Sequence, residues 1–117
     1  MPTIRDVVAA LCRPAGVDAV VVVGRDGLAI DSRTRDGVDA DNVAALLPSV
    51  INGMAQLGEA GGRGEFGIGV LEFGGGLAVV AVLSADALLA VLVQPSTNVG
   101  PLLFDLRRHR SAIAGLL

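Results

Sequence analysis

The stretch that most constrains this chain is Asp41–Glu59, DNVAALLPSVINGMAQLGE. At about 100° per residue, Val43, Leu46, Leu47, Val50, Met54 and Leu57 share one stripe of a helix, the natural core face. A second apolar stripe, Ala44, Pro48, Ile51 and Ala55, runs beside it. Ala45, Ser49, Asn52, Gln56 and Glu59 are left for solvent, and none is Lys or Arg. One apolar stripe packs a helix on its own domain; a second calls for another surface. Pro48 removes a helical hydrogen bond from the middle of the segment. The stripes keep their phase across it, so one bent helix is expected.

The flanking segments supply the layers for that helix to pack on. Thr3–Arg13 reads as a first helix, with Thr3 and Asp6 as a capping pair and Pro14 and Gly16 as its stop. Ala19–Val23 is a β-branched run suited to a strand covered on both faces. Asp26-Gly27 marks a hairpin turn into Leu28-Ala29-Ile30. Asp31–Ala40 is polar and reads as a loop, with Asp39 or Asp41 capping the central helix. Glu65–Phe73, Leu77–Leu83 and Leu88–Val93 read as three further strands, separated by Gly74-Gly75-Gly76 and Ser84–Ala87. Asn98 is placed to cap a last helix, whose inward face is Leu102, Leu106, His109, Ile113 and Leu116. The expected architecture is an α/β sandwich in the order α-β-β-α-β-β-β-α with one five-stranded antiparallel sheet. A length of 117 residues suits one domain, 1–117.

Composition excludes several classes of function. The net charge is −3, and the only basic cluster is Arg107, Arg108 and Arg110. With no Trp, no Tyr and three Phe, base-stacking platforms are missing, so no nucleic-acid partner is expected. No apolar run reaches the roughly 18 residues that span a bilayer, so no membrane insertion is expected. MPTIRDVVAAL lacks the pattern of a signal peptide, and Cys12 is the one cysteine. Both favour a cytoplasmic protein. The all-Arg basic set, with abundant Ala, Gly and Val, suggests a GC-rich bacterial source.

Catalytic and ligand-binding motifs find no support. Gly62-Arg63-Gly64-Glu65-Phe66-Gly67 matches G-x-G-x-x-G, but it follows a helix and enters a strand, the reverse of a dinucleotide site. Without lysine there is neither a P-loop nor Schiff-base chemistry. His109 and Cys12 offer at most a nucleophile and base with no orienting group, and too few ligands for zinc. Asp31, Asp36, Asp39 and Asp41 lack the spacing of a calcium loop. No cofactor, no metal and no catalytic residue is expected. Arg25, at the hairpin tip, is a candidate contact residue.

In this order of elements the chain resembles the Roadblock family, the dynein-light-chain and bacterial MglB-like group. The residues that carry the resemblance span nearly the whole length. They are Gly16-Val-Asp-Ala-Val-Val-Val-Val leading into Gly24-Arg-Asp-Gly-Leu-Ala-Ile, the long central helix, and Leu71-Glu72-Phe73 before a hairpin. The apolar strands Leu77–Leu83 and Leu88–Val93 follow, then Asn98-Val-Gly100 opening the last helix. The resemblance implies a sheet with the central helix on one face and the terminal helices on the other, as in Roadblock and profilin-like folds. It also implies dimers joined through the third strand and central helix, and regulation of a small Ras-like GTPase without an arginine finger.

The function expected on this basis is that of a homodimeric, non-catalytic adaptor. It would bind and regulate or scaffold a cognate small GTPase, with GTPase activation as one form of that regulation. Dimer contacts are expected from Ala44, Pro48, Ile51 and Ala55 on the helix and from Glu65, Gly67, Gly69 and Leu71 on the third strand. Ser49, Asn52 and Gln56 are expected to face the GTPase. The alternatives are a small-ligand-binding sensory module and a dimeric scaffold that acts without a GTPase.

Overall fold

The computed structural model describes residues 2–35 and 37–117. Asp36, one of the four loop acids, lies outside the described residues. The elements are α1 (Ile4–Cys12), β1 (Val17–Gly24), β2 (Ala29–Thr34), α2 (Ala40–Ala60), β3 (Ile68–Phe73), β4 (Gly76–Ser84), β5 (Ala87–Val93) and α3 (Gly100–Ala114). The strands form one sheet in the order β2-β1-β5-β4-β3, and every neighbouring pair is antiparallel. The expected order of elements and the five-stranded antiparallel sheet are both present.

The valine run of β1 divides its side chains between two cores, as the period of two demands. Val20 and Val22 join Val79, Leu89 and Val91 beneath α1 and α3, where Val8, Cys12, Leu106 and Ile113 close the layer. Val21 and Val23 join Ala78, Val80, Leu88 and Ala90 beneath α2, where Ala44, Leu47 and Ile51 close the other layer. Continuous apolar strands therefore lie at the centre of the sheet, and β2 and β3 are its edges.

The helix ends follow from local chemistry. Thr3 Oγ1 accepts from the Asp6 N–H at 3.2 Å and Asp6 Oδ2 accepts from the Thr3 N–H at 2.9 Å, a reciprocal capping box. These bonds, the backbone one first, hold the Asp6 carboxyl below its ordinary value. Asp39 Oδ1 caps α2 by accepting from the Asn42 N–H at 3.1 Å. α2 runs unbroken through Pro48. At α3 the N-cap position falls on Val99, without a side-chain cap bond. Asn98 Oδ1 instead accepts from the N–H of Gly100, at 3.0 Å.

Three strand and helix details differ from the sequence reading. β2 extends to Thr34 through residues expected to be loop, while Leu28 belongs to the turn. An exposed edge strand has no need of an apolar pattern, because pairing with β1 supplies its stability. β3 begins at Ile68, not Glu65. His109 is exposed, because Leu106 and Ile113, seven residues apart, take the inward line of α3.

The largest difference is the rotation of α2. Ala44, Leu47 and Ile51 are buried against the sheet, with Pro48, Met54, Ala55 and Gly58 half-buried around them. Leu46, Val50 and Leu57, expected in the core, are 59%, 39% and 73% exposed. Of the expected core stripe, only Leu47 is fully buried. Residue size decides between the two stripes. Ala44 lets the helix backbone approach the sheet, where Leu46 would hold it off, and Gly58 lets the loop after the helix close in, since a Cβ there would lie 2.8 Å from the Gly64 carbonyl oxygen. The β1–β2 turn gains from the same closeness. Gly27, at φ +82°, lies where a Cβ would sit 3.5 Å from the Ala45 Cα.

Two outcomes check this packing. Ile51→Ala should lower the free energy of unfolding by about 2–5 kcal/mol in urea titration. Leu46→Ala should cost clearly less in dilute protein; the opposite ranking would return α2 to the expected rotation. The α1 cap should depend on acid. Because the Asp6 pKa is depressed on folding, its contribution is present above the ordinary carboxylate value and lost as pH falls through the lower folded value. The Thr3 amide resonance should follow that titration in NMR spectra and should lose it in Asp6→Asn.

Candidate interaction surface

The rotation of α2 leaves an uncovered apolar seam. Leu46, Val50, Gly53 and Leu57 follow one another at spacings of four, three and four residues, the pattern that meets a second helix. An added Cβ at Gly53 would meet no atom within 4 Å, so the seam has a shallow point at its middle. Ser49, Asn52 and Gln56 are all exposed and form a polar strip along one flank.

The residues assigned to dimer contacts fall in different places in the fold. Ala44 and Ile51 are buried beneath their own subunit, and Pro48 and Ala55 are half-buried beside them, so they do not form a free face. Gly69 does not leave room for a partner either. The Phe66 ring comes within 3.1 Å of where its Cβ would be, and Met54 Cε within 3.3 Å. Glu65 and Gly67 precede β3 rather than lying in it. Leu71 is half-buried and packs toward α2. The sequence reading placed Leu46, Val50 and Leu57 in the core, whereas all three are exposed. The small residue Ala44, one turn before Leu47 and two before Ile51, was the available signal for the sheet-facing side.

The edge of β3 remains open beside this helix. Its exposed side chains are Val70, 42% exposed, Glu72 and Phe73. An unpaired strand edge with apolar residues is an invitation to pair with another strand. Along the second half of α2, a cleft of about 670 Å³ is lined by Ile51, Ala55, Glu59, Glu65, Phe66 and Arg25. The Arg25 N–H donates to the Asp86 carbonyl at 3.2 Å, which ties the hairpin tip to the β4–β5 turn.

The two groups considered for catalysis are not assembled into a site. The Cys12 thiol is buried and lies 4.0 Å from the Arg33 carbonyl oxygen. His109 opens on an apolar groove of about 540 Å³ between α1 and α3, whose lining does not include Cys12. Gly62 and Gly64, of the G-x-G-x-x-G match, occupy the turn after α2 with positive φ values. Among the described residues, no group of three or more His, Cys, Asp or Glu side chains is gathered for a metal ion. No described helix is long and apolar enough to cross a membrane.

Comparison with known proteins agrees with the fold. The structure is similar to Myxococcus xanthus MglB, with a TM-score of 0.84 at 19% identity over 97% of this chain and 93% of that one. It is similar to a Roadblock/LC7 domain from Streptomyces avermitilis, with a TM-score of 0.83 at 21% identity over 97% of both chains. Myxococcus xanthus MglC matches less closely, with a TM-score of 0.59 at 21% identity over 87% of this chain and 88% of that one. No curated protein matches the sequence. Residues 3–93, from the cap of α1 to the end of β5, match the Roadblock/LC7 domain. The chain belongs to the Roadblock/LC7 family.

Proposed function

We propose that the protein is a non-catalytic Roadblock adaptor that acts in the bacterial cytoplasm as a homodimer and binds a small Ras-like GTPase. The observation that carries this reading is the uncovered seam Leu46/Val50/Gly53/Leu57 lying beside an unpaired β3 edge. Antiparallel pairing of two β3 strands extends the sheet, and the two α2 helices then lie on the same face of it. Burying one leucine of the seam contributes on the order of 1.5–3 kcal/mol. Seam and strand together suit an interface of the standard size, roughly 1,200–2,000 Å².

The dimer presents Ser49, Asn52 and Gln56 twice, as a polar strip flanking the paired helices. That strip is the surface proposed to receive the GTPase. Uncharged polar groups beside apolar ones suit a contact that forms and dissolves with the nucleotide state. The protein's contribution is binding and reshaping of the partner rather than chemistry of its own, in keeping with the resemblance to MglB-like proteins. The likeness of the fold to MglB supports this reading.

Leu57→Asp and Leu46→Asp should each convert the dimer to a folded monomer in light scattering. A wild type already monomeric at micromolar concentration would refute the dimer. A small Ras-like GTPase of the source genome should be retained by the protein in either the GDP or the GTP-analogue state. Asn52→Arg or Gln56→Arg should weaken that retention about tenfold without dissociating the dimer. Absence of binding in both nucleotide states would refute the regulatory reading.

A further inference from the structure

The hydrogen-bond phase of β3 identifies the residues it offers to a second copy. In the β3–β4 ladder Ile68 stands opposite Ala81 and Phe73 opposite Gly76. One step before Ile68, the Gly67 carbonyl accepts from the Val82 N–H at 2.9 Å. Bonded pairs alternate along an antiparallel ladder. Gly69, Leu71 and Phe73 therefore spend their backbone groups on β4. Ile68, Val70 and Glu72 turn theirs to the open edge.

We propose that two copies pair in one register, with Val70 opposite Val70 across the two-fold axis, and that Arg110 of each copy pairs with Glu72 of the other. The proposal rests on the homodimer reading above. A two-fold axis pairs residues whose numbers have a constant sum. Centred on Val70, it sets Ile68 against Glu72 of the second copy, and all three outward residues find partners. Centred on Leu71, it leaves Ile68 opposite Gly74, beyond the strand.

Charge complementarity selects the same register. Ile68 packs into the core beneath α1 and α3, as does Leu77, the β4 partner of Glu72, so Ile68 and Glu72 share that face. The Arg110 guanidinium reaches down from α3 to the start of β3, where a Cβ on Gly67 would lie 2.8 Å from its Nη1. With Val70 at the axis, Glu72 of the second copy stands beside Ile68, next to that guanidinium. Among the described residues neither Arg110 nor Glu72 makes a side-chain hydrogen bond within its own chain. The pair forms twice per dimer.

Cysteine cross-linking and charge exchange test the two halves separately. In a Cys12→Ala background, Val70→Cys should form an intersubunit disulfide under mild oxidation. Directly bonded antiparallel residues sit roughly 5.5 Å apart at Cα, within the roughly 4.4–6.8 Å that a disulfide spans. Leu71→Cys should not cross-link, because its two copies are out of register by two residues. Glu72→Arg and Arg110→Glu should each raise the dimer dissociation constant about fivefold to tenfold, and the combined variant should return to within about twofold of wild type. Arg110→Gln, which keeps much of the stem, should weaken the dimer less than Arg110→Glu. Preferential cross-linking through Leu71→Cys in a dimeric protein would overturn the register and leave the dimer standing. Failure of the combined variant to recover would overturn the ion pair. A monomeric wild type would remove the homodimer reading and this proposal together.

Discussion

The structure depends on burying three strands on both faces at once. β1, β5 and β4 are apolar at nearly every position, so each demands a cover above and below the sheet. α1 and α3 together cover one face. α2 covers the other alone, and a single helix must lie close to do so. The small side chain of Ala44, fully buried between α2 and the sheet, permits that approach. The large side chains Leu46, Val50 and Leu57 are turned outward as a consequence.

What remains after the core is satisfied defines the surface. The sheet has two edges, and they differ in kind. β2 carries Asp31, Ser32, Arg33 and Thr34, polar residues that discourage further pairing. β3 carries Val70, Leu71 and Phe73, with its outward backbone groups unpaired by its own chain. The outward seam of α2 adds an apolar surface unlike the surroundings of a solvated helix. The function proposed for this chain therefore rests on contact surfaces. The proposed dimer and its polar strip follow from the same packing that builds the core.

Much of the fold was legible in the residues, for identifiable reasons. Ala19–Val23, Leu77–Leu83 and Leu88–Val93 are long apolar runs bounded by turn residues, and all three are strands. Thr3 and Asp6 announced a capping box that is present. Edge strands were harder to read. Asp31–Thr34 looked like a loop because solvent and one ladder impose no apolar pattern on it. The face of α2 was misjudged for another reason. Helical periodicity locates an apolar arc but not which part of a wide arc meets the sheet; close approach by small residues settles that. His109 shows the same limit on a smaller scale, since it lies one flank away from the Leu106–Ile113 line.

The central claim is that a second copy of the chain covers the open edge of β3. Concentration-dependent hydrogen exchange of single backbone amides tests it most directly. The account predicts that the N–H groups of Ile68, Val70 and Glu72 exchange slowly in concentrated protein and faster on dilution through the dissociation range. The outward amides of β2 should exchange at the same rate throughout. Equal, unprotected exchange at both edges at every concentration would contradict the account.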